Sequence, residues 1–111
     1  MDISQALTEP VLHILLVLAE RDRHGYAVMQ GVRERSGGTL TLRTGSFYRY
    51  LSQLIDAGLV VEASRPPGDD PRRGTYYRLT PLGRRRLAAE RRRLVALVDA
   101  IGPALARRGH A

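Results

Sequence analysis

The residues with the clearest chemical potential lie in the segment 44–58, TGSFYRYLSQLIDAG, where polar and apolar side chains alternate at helical spacing. Successive residues of a helix are rotated by about 100°, so these two sets fall on opposite faces. The apolar face consists of Phe47, Leu51, Leu54 and Ile55. The other face holds Gly45, Arg49, Ser52, Gln53 and Asp56, with Ser46 beside them and Tyr48 and Tyr50 on the flanks. Guanidinium, amide and hydroxyl groups on an exposed helix can hydrogen-bond the edges of DNA bases, which predicts a nucleic-acid interface.

Two residues define the expected ends of this helix. We predict that the Thr44 hydroxyl accepts a hydrogen bond from a free backbone N–H of the first turn. Gly58 can adopt the left-handed conformation that ends a helix.

The composition also favours a polyanionic partner. The 111-residue chain has a formal net charge of +7, and all 18 basic residues are arginine, whose planar fork binds phosphate or guanine in a bidentate manner. A GC-rich genome would produce the same arginine bias. Cysteine is absent, which excludes disulfides and thiolate zinc sites. No secretory signal is recognisable at the start of the sequence, so a cytoplasmic location is expected.

A β-hairpin is predicted after Gly58. The segments LVVEAS and TYYRL have the composition of strands, and the ten residues RPPGDDPRRG between them form an exposed tip. Arg72 and Arg73 in this tip could bind the sugar-phosphate backbone. An equally strong interpretation is that they balance Asp69 and Asp70.

Two helices are predicted before the polar segment. Val11–Ala19, VLHILLVLA, is apolar nearly all round and follows Thr8, Glu9 and Pro10, which are typical of a helix start. We expect it to contact both its own domain and, through Leu12, Leu15 and Leu16, a second subunit. His13 is expected to be packed and hydrogen-bonded. The turn RDRHG and the amphipathic helix YAVMQGVRERS follow, with Ala27, Val28 and Val32 available for the core.

The last predicted helix begins with Thr80 as N-cap and Pro81 as its first residue. Leu87, Leu94 and Ile101 recur every seven residues, which indicates a coiled-coil seam that Glu90 and Arg91 interrupt early. The nearby apolar residues Leu97, Val98 and Leu105 fill intermediate positions. The seam is expected to pack against a second copy, the arginine triplets 84–86 and 91–93 to be mostly solvated, and Gly102 and Pro103 to break or bend the helix.

Together these segments predict a mainly α fold with a small β-hairpin, arranged as a winged helix-turn-helix with a C-terminal dimerisation helix. The expected division is a DNA-binding domain over residues 1–79, the dimerisation helix over 80–106 and a tail over 107–111.

The segments ILLVLAERDRHGYAVMQGVRERSGG, GSFYRYLSQLIDAGLVVE and RGTYYRLTPLGRRRL resemble the PadR family of bacterial transcriptional regulators, specifically its short members with one C-terminal helix. The resemblance implies a homodimer that binds an inverted repeat in a promoter as a repressor, with the first and last helices forming the dimer. By motif position, Tyr48 and Arg49 match the family's DNA-facing tyrosine and its neighbour, and Tyr26 matches the tyrosine that supports the reading head.

Two positions depart from the family pattern. Tyr50 replaces a small or aliphatic residue, and we expect it to pack at the edge of the core. Leu94 stands near the place where multidrug-sensing members carry a drug-stacking tryptophan, and this chain has no tryptophan. An apolar effector of unknown identity at the dimer interface remains compatible with the sequence, whereas no cofactor or metal is expected.

Other functions find less support in the sequence. Catalysis has little support, because His13, His24 and His110 are scattered and no nucleophile has a base at recognisable spacing. The stronger alternative is a winged-helix adaptor that uses the same surface to bind a protein, since this fold does not fix function.

Overall fold

The computed structural model describes residues 6–107, and the predicted tail therefore lies outside the described residues except for Arg107, as does His110. Four α-helices are present: α1 (Glu9–Glu20), α2 (Gly25–Arg35), α3 (Thr44–Asp56) and α4 (Pro81–Ala106). Three strands, β1 (Arg23–His24), β2 (Val60–Ala63) and β3 (Tyr76–Leu79), accompany a short 3₁₀ turn, Pro71–Arg73. The predicted winged helix-turn-helix class, mainly α with a small β-hairpin, is confirmed.

The strands form an antiparallel sheet in the order β1–β3–β2, with β3 in the centre. The hairpin of β2 and β3 was predicted, and it pairs Val60 with Leu79 and Ala63 with Tyr76. The interpretation of residues 21–25 as a turn was incomplete, because Arg23 and His24 pair with Tyr77 and Tyr76. The sheet thus joins the start of α2 directly to the hairpin.

The core forms where α1, α2 and α3 pack with the sheet, and its fully buried side chains include Ile14, Val28, Val32, Phe47 and Leu54. Leu15 also has no accessible surface in the single chain. The prediction that Leu15 contacts a partner is therefore wrong, because it lies on the inward face of α1. His13 is half-buried, but its Nδ1 has no hydrogen-bond partner among residues 6–107, so the expected hydrogen bond is not formed at that atom.

Helix ends were predicted with mixed success. Thr80 is the N-cap of α4, and its Oγ1 accepts a hydrogen bond from the Gly83 N–H at 3.0 Å. Gly58 has the expected positive φ, 76°. Thr44 does not cap α3, because it is itself the first helical residue, one position earlier than predicted. Arg43 occupies the cap position, and its side chain makes no capping hydrogen bond.

The beginning of α4 lies tightly against the hairpin. A Cβ atom at Gly83 would overlap the Leu59 carbonyl oxygen and the Leu79 side chain, so glycine is required for this approach. At its other end α4 continues through Gly102 and Pro103 to Ala106, so of the two predicted outcomes, a break or a bend, the break does not occur. The residues around Pro103 are exposed, so water can bond the carbonyl that the proline ring leaves free.

A buried charged cluster fixes α4 to the segment before α1. Glu90 is 1% exposed, and its Oε2 accepts hydrogen bonds from the Leu7 backbone N–H and from Arg86 Nη1, both at 3.2 Å. Its Oε1 accepts a hydrogen bond from Arg93 Nε at 2.8 Å. The arginine triplets were expected to be mostly solvated, and Arg86 is an exception, because it pairs with Glu90 inside the fold. Glu90 was predicted only to interrupt the apolar seam, and its buried pairing with Arg86 was not foreseen.

The pKa of Glu90 reflects two opposing effects. Burial alone would raise it, but the hydrogen bonds from Arg93, the Leu7 N–H and Arg86 outweigh burial and hold the pKa below its ordinary value. The carboxylate is therefore kept charged inside the protein.

Candidate nucleic-acid interface

Helix α3 is held by one face and leaves the other free. Phe47, Leu51 and Leu54 are buried in the core, as predicted. On the opposite side Arg49 and Gln53 are exposed. The other predicted DNA-facing residues of this helix are also exposed, namely Thr44, Gly45, Tyr48 and Ser52, while Ser46 is half-buried. The helix thus presents hydrogen-bonding side chains from a rigid support.

Tyr48 rests against the start of α2. Its ring packs edge-on against Phe47, with the ring centroids 4.9 Å apart. A Cβ atom at Gly25 would lie only 2.6 Å from the Tyr48 hydroxyl oxygen. Gly25 therefore provides the space that the tyrosine occupies. Residue-level reasoning missed this role, and the signal that could have revealed it was the HGY motif.

Tyr48 also lies beside the hairpin. Burial raises the pKa of the Tyr77 hydroxyl on β3, and the nearby Tyr48 and Glu62 raise it further. The polar helix and the central strand of the sheet are therefore close enough for these two tyrosines to interact electrostatically.

Arg49 and Tyr50 contact each other on the flank of α3. The Arg49 guanidinium carbon lies 5.5 Å from the centre of the Tyr50 ring, within the range of a cation–π contact. Tyr50 is half-buried and packs against the core, which confirms its predicted place at the core edge. Its ring therefore supports the arginine from one side while the guanidinium remains accessible.

Tyr26 is 66% exposed in the first turn of α2, and its hydroxyl accepts a hydrogen bond from Gln30 Nε2 at 3.1 Å. Both residues line a groove of about 450 Å³ between α2 and residues 37–42. The N-cap of the helix is His24, whose Nδ1 accepts a hydrogen bond from the Ala27 N–H. Gln30 was not among the predicted site residues, because no local pattern distinguished it from other exposed residues of α2.

The hairpin tip contains two arginine–aspartate pairs. Arg72 binds Asp70 in a bidentate manner, with Nε–Oδ1 and Nη2–Oδ2 distances of 3.1 and 3.0 Å. Arg73 Nη1 lies 2.7 Å from Asp69 Oδ1, and the Tyr76 hydroxyl donates to Asp69 Oδ2. These two arginines were predicted either to bind phosphate or to pair with the aspartates, and in the free chain they pair with the aspartates. Both arginines are nevertheless exposed.

Electrostatics within the tip keep the acids ionised. The Tyr76 hydroxyl lowers the pKa of Asp69, with a smaller contribution from Arg73. Arg72 lowers the pKa of Asp70 through its side chain and its backbone N–H. Burial opposes both effects without reversing them.

The outer part of α4 extends away from the winged domain. Every described residue from 91 to 107 is exposed, although this stretch contains a series of apolar side chains. Those that are large and at least 38% exposed are Leu94, Val95, Leu97, Val98, Ile101 and Leu105. An uncovered apolar series of this length is typical of an interaction surface.

A groove of about 380 Å³ separates α1 from the base of this series. It is lined by four of the predicted dimerisation residues, Leu12, Leu16, Leu87 and Leu94, together with Ala88, Glu90 and Arg91. The structure thus brings these four residues together, while Leu97, Val98 and Ile101 lie farther along α4.

Metal-binding clusters and membrane-spanning helices are absent from residues 6–107. This part of the chain contains no group of three or more histidine, aspartate or glutamate side chains that could hold a metal ion. Within the same range, no helix combines the length and the apolar character needed to cross a membrane.

Comparison with known proteins identifies relatives of this arrangement. The model of the transcriptional regulator PadR-like family matches residues 14–89. An uncharacterized protein of Lysinibacillus sphaericus is 30% identical over 71 residues, and this match spans 64% of the present chain and 64% of that protein.

Solved structures with the same fold include the following two. A PadR family transcription regulator from hypervirulent Clostridium difficile superposes with a TM-score of 0.72 at 22% identity, covering 88% of this chain and 99% of that one. Bacillus subtilis PadR in complex with operator DNA superposes with a TM-score of 0.60 at 21% identity, covering 74% of this chain and 46% of that one.

Proposed function

Since the chain belongs to the PadR-like family of transcriptional regulators, we propose that it is a repressor that binds an inverted-repeat promoter site as a homodimer. The observation that carries this proposal is the exposed polar face of α3, on a helix whose other face is fixed in the core. A rigid helix of this kind fits the major groove of B-DNA. The complex of Bacillus subtilis PadR with operator DNA supports DNA as the partner of this fold.

Arg49 is the proposed base-reading residue. Its guanidinium is exposed, and its fork can bind O6 and N7 of a guanine. Gln53 lies one turn later and can reach an adenine or a phosphate. In this proposal the remaining contacts from α3 come from Thr44, Gly45, Ser46, Tyr48 and Ser52, with Tyr26 approaching from α2.

The proposed dimer uses α4 of two copies. The apolar side chains along residues 91–107 have no cover within the described chain, and a second copy would bury them. Leu12, Leu16 and Leu87 continue this surface across α1 and the groove beside it. The same groove is the place where a small apolar effector would bind.

Two-fold symmetry fixes the expected operator. If two α3 helices enter successive major grooves on one side of the duplex, their centres lie about 34–36 Å apart. The half-sites should then be inverted and separated by roughly one helical turn of DNA. Repression would follow from occupation of promoter DNA.

The experiment is selection of genomic fragments by the purified protein, followed by titration of the selected site. We expect an inverted repeat, and we expect Arg49→Ala to weaken binding to it by about 1–3 kcal/mol per half-site and to relax preference at one base pair. Arg107→Ala, which removes the same charge from the end of α4, is the matched control and should leave the preference unchanged.

The outcomes separate the candidates. Equal losses on all sequences would mean that Arg49 binds phosphate and that discrimination lies elsewhere on α3. Absence of any selected fragment would overturn the proposed function and favour the protein-binding adaptor.

A further inference from the structure

The hairpin tip carries its own counterions, and this feature has no part in the function proposed above. Residues 64–75 contain three arginines and two aspartates, a net charge of only +1 in a chain of net charge +7. We call Asp69 and Asp70 the tip acids, and Arg72 and Arg73 the tip arginines. Each tip acid is paired with one tip arginine.

We propose that the tip acids compete with DNA phosphate for the tip arginines and thereby lower the affinity of the protein for non-operator DNA. The proposal rests on the DNA-binding function proposed above. It assigns to Asp69 and Asp70 a role in specificity, although neither residue would gain a favourable contact with DNA.

The competition follows from the donors involved. A carboxylate and a phosphate both take the paired N–H groups of a guanidinium, and the bidentate Asp70–Arg72 pair already uses Nε and Nη2. A phosphate that binds Arg72 in the same manner must replace Asp70 as the acceptor of these two N–H groups. The carboxylate, which then has lost its cation, lies near the phosphate and repels it. The tip therefore contributes less free energy of binding to the DNA backbone than the two arginines would contribute without the acids.

The two acids are fixed more firmly than the arginines. The Asp69 side chain is 12% exposed and is held by the Tyr76 hydroxyl on β3, and Asp70 accepts the Arg72 backbone N–H at 3.0 Å, which orders the 3₁₀ turn. By contrast the Arg72 side chain is 90% exposed. The arginine can leave the pair for a phosphate, while the acids stay in place.

The expected preference for operator over other DNA depends on how long the tip stays at one position on the DNA backbone. On an operator, α3 holds the protein in one register, so the arginines can exchange partners at a fixed phosphate. On other sequences the backbone contacts carry nearly all of the affinity, so a weakened tip reduces that binding most. The ratio of specific to non-specific affinity rises as a result.

The test uses Asp70→Asn and the double substitution Asp69→Asn with Asp70→Asn in the full-length protein. Asparagine keeps an acceptor oxygen for the Arg72 N–H and the Tyr76 hydroxyl, so the turn should persist while the ion pairs are lost. Asp99→Asn is the matched control, since it removes one exposed acid from α4. Binding is measured by fluorescence anisotropy on the selected operator and on a duplex of unrelated sequence across a salt series.

We expect Asp70→Asn to strengthen binding to the unrelated duplex by roughly 1.4- to 5-fold per subunit, in keeping with the strength of exposed ion pairs. The slope of log K against log salt should become steeper by up to about 0.9 per subunit. Operator binding should improve less, so the specificity ratio should fall. The Asp99→Asn control should change neither the slope nor the ratio.

A double-mutant cycle distinguishes competition from simple repulsion. If Asp70 acts by occupying Arg72, the effect of Asp70→Asn should disappear in an Arg72→Ala background. An effect of equal size in that background, or an unchanged specificity ratio in the single variant, would overturn the proposal. Failure of the wild-type protein to bind any DNA would instead refute the function on which the proposal rests.

Discussion

Replacing either arginine partner of Glu90 tests how strongly the buried charged cluster stabilises the fold. The Arg86 side chain is 3% exposed and the Arg93 side chain 42% exposed, yet both bind the same carboxylate. Arg86→Ala leaves Glu90 inside the protein without its buried cation, which costs about 3–5 kcal/mol in typical buried pairs. Arg93→Ala also removes hydrogen bonds to the buried carboxylate, but truncation of this half-exposed side chain opens the Glu90 Oε1 to water, so a smaller loss of at most about 1 kcal/mol is expected.

These losses can be compared with the whole stability. At about 0.05–0.15 kcal/mol per residue, a chain of this size has a free energy of unfolding of roughly 6–17 kcal/mol. Arg86→Ala should therefore remove a large fraction of it and lower Tm by roughly 12–20 °C, at about 4 °C per kcal/mol. Arg93→Ala should lower Tm by about 4 °C or less.

The assay is urea and thermal denaturation followed by circular dichroism at one fixed protein concentration, because dimerisation would make Tm depend on concentration. Glu62→Ala, an exposed acid on β2, is the control for removal of a surface charge. The reasoning is refuted if Arg86→Ala and Arg93→Ala cost the same within about 0.5 kcal/mol, since burial would then not decide the contribution.

Three further results are expected. The lowered pKa of Glu90 contributes stability that is present above about pH 4.5 and is lost as the pH falls through the folded value, so Glu90→Gln should show a shallower acid decline in Tm than the wild type. Gly25→Ala should displace Tyr48 at the cost of a strained rotamer, about 2- to 12-fold in operator affinity, whereas Gly102→Ala, with open space around its Cβ, should bind normally in the same titration. Val98→Asp should yield monomers in light scattering without changing the domain, because Val98 is 65% exposed, and an unchanged dimer mass would contradict the proposed interface.

Features determined by local periodicity were predicted from the sequence. The apolar stripe of α3, the cap at Thr80 and the β2–β3 hairpin each depend on residues close together in the chain, and all three are present. The structure also places Tyr50 at the core edge, as expected.

Features determined by distant partners were not predicted. Strand β1 has only two residues and exists because it pairs with β3, more than fifty residues later. Glu90 resembled a defect in a heptad pattern because the sequence does not reveal that Leu7 and Arg86 meet it. The inward orientation of Leu15 was equally inaccessible, because α1 is apolar on nearly every face and only its neighbours decide which side is covered.

The tip arginines illustrate a third case. Their spacing from Asp69 and Asp70 allowed either pairing with the acids or binding of DNA phosphate. In the free chain both arginines are paired with the aspartates, and they could exchange these partners for phosphates when DNA binds. The sequence identified the right groups, but only the distances show which contacts exist before DNA arrives.

The hydrogen bond between the Leu7 N–H and Glu90 joins residues 83 positions apart, so it can form only late in the synthesis of the chain. The ribosome releases α1, the sheet and α3 before the third turn of α4 has been made. Until then the Leu7 amide lacks its acceptor, and Leu12 and Leu16 lack the wall that Leu87 and Leu94 provide. A nascent winged domain therefore exposes apolar surface that chaperones can bind. A polypeptide that ended before Glu90 would keep this apolar surface exposed, which favours aggregation.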